Sequence, residues 1–238
     1  HKISNLMIYN FAEPSTGFFS QLDSTARLDS LTLKSYFFKG IYSGGVAGIN
    51  RGTINEVHVD TDSLDFVNSA GGFVSENYGT ITNSSFSGTL MGAYVGGIAY
   101  DNYGTISKCK VVLKNENILR KPTMYGGIAN NNKGTISDCK ASGEIYASVN
   151  IGGIASVNTG TVERCSSSVN INGAGSTNLP GINLNNAYAL GGLIAVDSGK
   201  VYNSHATGNI TATASNVGGF VGVAFGQITG CSATGKIK

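Results

Sequence analysis

A pair of adjacent glycines recurs along the chain, followed at fixed distance by a third glycine and a β-branched aliphatic residue. The pairs are Gly44-Gly45, Gly71-Gly72, Gly96-Gly97, Gly126-Gly127, Gly152-Gly153, Gly191-Gly192 and Gly218-Gly219. Eight residues after the first member stands Gly52, Gly79, Gly104, Gly134, Gly160, Gly199 or Gly226. Two further on stands Ile54, Ile81, Ile106, Ile136, Val162, Val201 or Ile228. Matches at constant offsets are an internal repeat, and a repeat limits the fold to architectures in which each unit stacks on its neighbours. The pairs are separated by 27, 25, 30, 26, 39 and 27 residues, with all the variation late in the unit. One half of each unit is therefore rigid and the other accepts insertions. That is the pattern of a solenoid with one coil per repeat and loops extruded at one corner.

The Gly pair and the apolar residues after it, such as Ile128-Ala129 and Ile154-Ala155, are expected to open a strand, with glycine permitting close backbone approach. Next comes an Asn column: Asn50, Asn77, Asn102, Asn132 and Asn158, replaced by Asp197 and Ala224 in the last two units. Asn and the following Gly tolerate left-handed backbone angles, which predicts a sharp turn here. Stacked Asn side chains can also bond from coil to coil. A second strand begins at Gly-Thr-Ile. The inward phase then slips, predicting a bend between Ile136 and Cys139. Beyond it Cys139, Ala141, Gly143 and Ile145 face one way and Lys140, Ser142 and Glu144 the other, the period of a half-buried strand. No segment carries a helical period with caps. The expected fold is all-β: a right-handed parallel β-helix or flattened β-roll, a β-solenoid of about eight coils with roughly three short strands per coil.

Residues 1–43 read as an irregular N-terminal coil, with a strand over Ile3–Phe11 and alternating Leu28, Leu31 and Leu33. Residues 44–238 read as seven regular coils of the same domain, with inserted loops at 115–123 and 173–187. Both ends read as cuts in a longer protein, and uncapped coils predict end-to-end stacking. The 34 glycines occur with only three prolines and without a three-residue period, which excludes collagen. The periodically placed aliphatic residues exclude disorder. A net charge of +2 gives no electrostatic case for nucleic acid. No apolar run approaches the ~20 residues of a membrane span.

The sentence GG-[VFIL]-[VAI]-x-x-N-x-G-[TK]-[IV]-x-x-[CS], followed by A-[ST]-G-x-I, resembles the bacterial GLUG repeat over residues 44–238. Gly199-Lys200-Val201 in place of Gly-Thr-Ile, and the loss of Asn at Ala224, are departures that bear on the turns of the last two coils. The resemblance implies a non-catalytic extracellular or bacterial cell-surface module. It would be part of an adhesin, or of the substrate-positioning region of an immunoglobulin-A1 metallopeptidase whose catalytic domain lies elsewhere. The implied partners are a host protein or glycan and the neighbouring domains of the parent chain.

Several residues are candidates for chemistry. Cys109, Cys139 and Cys165 share one inward position on successive coils, with Cys231 further along. Stacked coils lie about 4.8 Å apart, whereas disulfide Cβ atoms prefer about 3.8 Å. Buried free thiols packing as small apolar groups are therefore the expected state, with disulfides the alternative. No histidine lies in register with them and no CxxC occurs, so no metal site and no cofactor are expected. HExxH, GxSxG and a grouped set of outward carboxylates are all absent from the sequence, and catalysis within the chain is not expected. Glu76, Asp101 and Asp197 read as solvated turn carboxylates. Tyr78 and Tyr103 occupy one turn position on neighbouring coils, with Arg51 before and Lys133 after, an arrangement suited to a sugar or partner side chain. Lys110 and Lys140 are outward neighbours, and Arg120 and Lys121 lie close by in an inserted loop. Together they suit an anionic glycan.

Overall fold

The structure, a computed structural model, describes residues 1–9, 16–114, 122–173, 188–212 and 216–238. Every strand pairing among them is parallel, and the strands form three sheets that run the length of the molecule. The first sheet has eight strands of four residues, from Phe19–Leu22 through Ala47–Asn50 and Ala129–Asn132 to Val221–Ala224. The second has eight strands of three residues, from Arg27–Asp29 through Thr135–Ser137 to Gln227–Thr229. The third takes the rest of each coil, for example Lys140–Ala147 and Ile151–Gly152, and in one coil is a single strand, His58–Gly71. The molecule is a parallel β-solenoid of eight coils with a repeating strand pattern. The inserted segments 115–121 and 174–187 lie outside the described residues.

Register converts repeat position into spatial column. Ile81 pairs with Ile54 on one side and Ile106 on the other, Asn77 with Asn50 and Asn102, and Gly96 with Gly71 and Gly126. Ile54, Ile81, Ile106, Ile136, Val162 and Val201 line the interior without solvent contact. Each such side chain stabilises the fold by roughly 1.5–3 kcal/mol. The core tapers along the axis. Phe38, Phe66, Phe73 and Phe86 fill the early coils. Phe86 is then followed in register by Val111, Ala141, Ser167 and Ala206.

Three local features differ from the sequence expectation. First, the Gly pair forms a corner and does not open a strand. Gly96 and Gly126 end the strands Tyr94–Gly96 and Met124–Gly126, and the next strands start only at Ala99 and Ala129. The reason is steric. A Cβ on Gly96 would strike the Ala99 carbonyl as the chain doubles back, and one on Gly97 would strike the Gly127 carbonyl of the next coil.

Second, the left-handed residue is not the Asn. Positive φ falls at the bend six residues later, at Glu56 (53°), Asn83 (50°), Lys108 (53°), Asp138 (55°), Arg164 (50°) and Asn203 (47°). At Glu56, Lys108 and Arg164 this costs about 1–2 kcal/mol relative to an ordinary conformation, and less at the Asn and Asp positions. That cost is opposed by a backbone hydrogen bond to the next coil, such as Lys108 N–H to Ser137 O at 3.0 Å. The glycine after the Asn is needed for space, since a Cβ on Gly104 would overlap the carbonyl of Gly79 below it.

Third, the N-terminal strand is broken. Lys2–Ser4 and Met7–Tyr9 are separate, with Asn5 at φ 58° between them.

A candidate ligand-binding face

The turn after each first-sheet strand presents one residue inward and the next outward. The inward residue is the Asn. Asn50 Nδ2 donates to Asn77 Oδ1 at 2.8 Å, Asn77 to Asn102 at 2.8 Å, Asn102 to Asn132 at 2.8 Å and Asn132 to Asn158 at 2.7 Å. The column ends where Asn158 Nδ2 donates to Asp197 Oδ1 at 2.7 Å. An amide suits every interior rung because it donates upward and accepts from below. Asp197 is a correction to the sequence reading. Its carboxylate is fully buried rather than solvated, and its Oδ2 has no hydrogen-bond partner.

The outward residues are Arg51, Tyr78, Tyr103 and Lys133. Their backbone N–H groups bond the coil below, Tyr78 to Asn50 O and Tyr103 to Asn77 O, both at 2.8 Å. The two rings stack nearly parallel, with centroids 4.7 Å apart and 2° between planes. The Arg51 guanidinium lies 4.7 Å from the Tyr78 centroid, and Lys133 Nζ lies 4.4 Å from that of Tyr103. Cations thus cover both outer ring faces, and the rings reach solvent by their edges, at 42% and 40% exposure.

Tyr78 Oη donates to Glu76 Oε2 at 2.7 Å. That bond, then burial and the Glu76 charge, pushes the phenol up to about 12. Lys133 Nζ donates to Tyr103 Oη at 2.9 Å and lies 3.6 Å from Asp101 Oδ1. Burial works against its charge, but the Tyr103 and Asp101 oxygens prevail and its pKa is raised. The column is a fixed set of charges held by rings, with acidic partners at its base.

Lys110 and Lys140 are exposed neighbours, paired in register across two strands of the third sheet. The strand Thr105–Ser107 and the bend at Lys108 separate them from Tyr103 along the chain. Arg120 and Lys121 lie outside the described residues. Arg164 makes two hydrogen bonds to Asp138, at 2.9 and 3.0 Å, which hold the Asp138 carboxyl below its ordinary value. His58 Nδ1 lies 2.9 Å from Ser85 Oγ.

Cys109, Cys139, Cys165 and Cys231 are free thiols, and all but Cys231 are buried. Cys139 Sγ donates to Ser137 O at 3.2 Å and accepts from Cys109 N–H at 3.4 Å. Its thiol neighbours and its burial hold it well above the ordinary value, as a neutral group. Among the described residues, no group of three or more His, Cys, Asp or Glu is placed to hold a metal ion. No helix among the described residues is long and apolar enough to cross a membrane.

A further concavity was not singled out in the sequence. It lies on the outer face of the third sheet, has a volume of about 390 Å³, and is lined by Glu144, Tyr146, Asn170, Asn172, Asn209 and Lys236, among others. Glu144, Tyr146, Asn170 and Asn172 are outward members of the strands Lys140–Ala147 and Ser166–Gly173, while Asn209 stands just before Ile210–Ala212 and Lys236 follows Ser232–Ala233. The first four fall in two columns because Glu144 pairs with Asn170 and Tyr146 with Asn172. The alternation carried the signal, but only the register shows that residues 26 to 39 apart share one groove.

Two segments, residues 67–91 and 213–238, match the GLUG motif model. The first runs from the end of one Gly-pair strand through the whole of the next coil's first two strands to Met91. No curated protein matches the chain. By its fold the chain is a parallel β-solenoid, and two of its segments are similar to the GLUG motif.

Proposed function

We propose that this solenoid is a non-catalytic binding and spacing module of a bacterial surface or secreted protein, and that its outward columns contact a host protein or glycan. The observation that carries the reading is the Arg51–Tyr78–Tyr103–Lys133 column. Residues from four coils form one preorganised charged and aromatic edge on a scaffold whose interior columns are spent on stacking. Preorganised aromatic and cationic groups lower the ordering cost of binding, which favours recognition over mere solubility. The GLUG motif supports an extracellular setting.

The test is binding of the purified chain to a glycan array alongside immobilised serum and matrix proteins, at low and physiological salt. Saturable binding that weakens in Tyr78→Ala/Tyr103→Ala supports the module. Binding confined to an immunoglobulin would redirect the reading to substrate positioning for an attached peptidase. Binding to none of them would leave a spacer and overturn the recognition role.

A further inference from the structure

The groove on the third sheet carries more specific chemistry than the aromatic column. Asn170 Oδ1 accepts the backbone N–H of Asn209 at 3.0 Å, and Asn209 Oδ1 accepts that of Lys236 at 3.0 Å. Each amide thereby reaches one coil upward with its oxygen. A carboxamide held by its oxygen has its Nδ2 and two donor hydrogens fixed in direction. No acceptor within the protein takes Nδ2 of Asn170 or Asn209 among the described residues. Lys236 forms no ion pair among the described residues either. The side chains of Asn170, Asn209 and Lys236 therefore present donors from three successive coils along one edge of the groove.

At its early end, Glu144 Oε2 accepts from Tyr146 Oη at 2.8 Å, which fixes the carboxylate and leaves its other oxygen as an acceptor. The groove is donor-rich with a positive end and one fixed acceptor. Its natural complement is a molecule with many oxygen acceptors, hydroxyl groups and a negative charge. Coils repeat every ~4.8 Å, a step comparable with one pyranose ring, so a chain of sugars can lie along the solenoid axis and meet one donor set per residue.

We propose that this groove is a carbohydrate site for an acidic oligosaccharide, with the sugar carboxylate at Lys236, hydroxyl and ring oxygens at the Asn170 and Asn209 amides, and a sugar hydroxyl at Glu144. The proposal rests on the glycan form of the reading above and assigns it to a different face. Charge-assisted bonds to Lys236 and oriented amide donors supply selectivity, because a neutral sugar leaves the ammonium unpaired.

The test is titration of the 238-residue chain with sialyllactose and a hyaluronan tetrasaccharide, and with lactose and chitotetraose as neutral counterparts. Asn170→Asp and Asn209→Asp keep the oxygen that accepts the neighbouring N–H but replace the NH2 donors by carboxylate oxygen. They are expected to leave Tm unchanged and to weaken acidic-sugar binding at least tenfold. Lys236→Gln is expected to remove most of the salt dependence and the preference over the neutral sugars. Acidic-sugar binding that survives all three substitutions but is lost in Tyr78→Ala/Tyr103→Ala would overturn the groove while sparing the module. Equal binding of neutral and acidic sugars would overturn the ligand class. Glycan binding absent while a host protein binds would also overturn the groove alone.

Discussion

The inward and outward residues of one turn, adjacent in sequence, follow opposite rules. The inward column is Asn at five successive coils, from Asn50 to Asn158, and each of the first four donates its Nδ2 to the Oδ1 of the next. The outward column one residue later is Arg51, Tyr78, Tyr103, Lys133 and then Thr159. Burial makes the difference. A polar group without water must find its partner in the neighbouring coil, so the column must be self-complementary at every rung. An outward residue has water as its fallback, so its identity can vary and be used for recognition.

The largest expected effect lies in the inward column. Asn102→Ala leaves Asn77 Nδ2 without its ladder acceptor and Asn132 Oδ1 without its donor. Asn77 Nδ2 keeps only its longer contacts to Gly79 O at 3.3 Å and Thr105 O at 3.4 Å, and loss of both ladder bonds at once should lower unfolding stability by about 2–5 kcal/mol in a denaturant titration. A loss no larger than that of an outward substitution would erase the distinction between the columns.

Asp197→Asn acts at the end of the same column and in the opposite direction. An amide there can donate to the Gly199 carbonyl, as Asn158 Nδ2 does to Gly160 O at 3.4 Å, and it removes the unpartnered Oδ2. The variant should be more stable by about 1–2 kcal/mol. A lower melting temperature would mean that the carboxylate is needed at the rung facing Ala224.

In the outward column, Tyr103→Ala separates Tyr78 from Lys133 and removes one ring pair. The expected loss is about 0.5–1.5 kcal/mol, well below that of Asn102→Ala in the same coil. Comparable losses would place the outward stack among the determinants of folding.

The smallest effect is a titration. Tyr78 should ionise at about 12 in an absorbance titration, later than an ordinary phenol, and Glu76→Gln should bring it back toward 10. The folded value is raised, so the Tyr78–Glu76 interaction contributes fully below the unfolded value near 10 and is lost as pH rises through about 12. No change in stability from this pair is expected between pH 5 and 8.

Much of the fold was legible because parallel stacking in register makes one sequence offset equal to one spatial column. Ile54, Ile81 and Ile106 had to coincide once each coil advanced by one repeat. The break of phase before Cys139 marked a true bend. The residue that makes it was legible only in part: Asn83, Asp138 and Asn203 are types that tolerate left-handed angles, but Glu56, Lys108 and Arg164 carry no such preference and are held there by pairing with the next coil. The corner role of the Gly pair was hidden for a related reason. Glycine in a strand and glycine at a close backbone crossing look the same in sequence.

The candidate site divides in the same way. That Tyr78 and Tyr103 are neighbours follows from the repeat. That Arg51 and Lys133 close both ring faces is a matter of side-chain direction, which no spacing specifies. The groove is the clearer case, because Asn170, Asn209 and Lys236 are separated by 39 and 27 residues and each is an ordinary polar residue of its own coil. By itself the sequence determined the coil, its period, the buried columns and the class of fold, because these depend on repetition and hydrophobic alternation. Only the tertiary structure decided which polar atoms are already used and which remain open. Hydrogen bonds are directional, and their partners come from coils whose order in space, not in sequence, sets what each side chain meets.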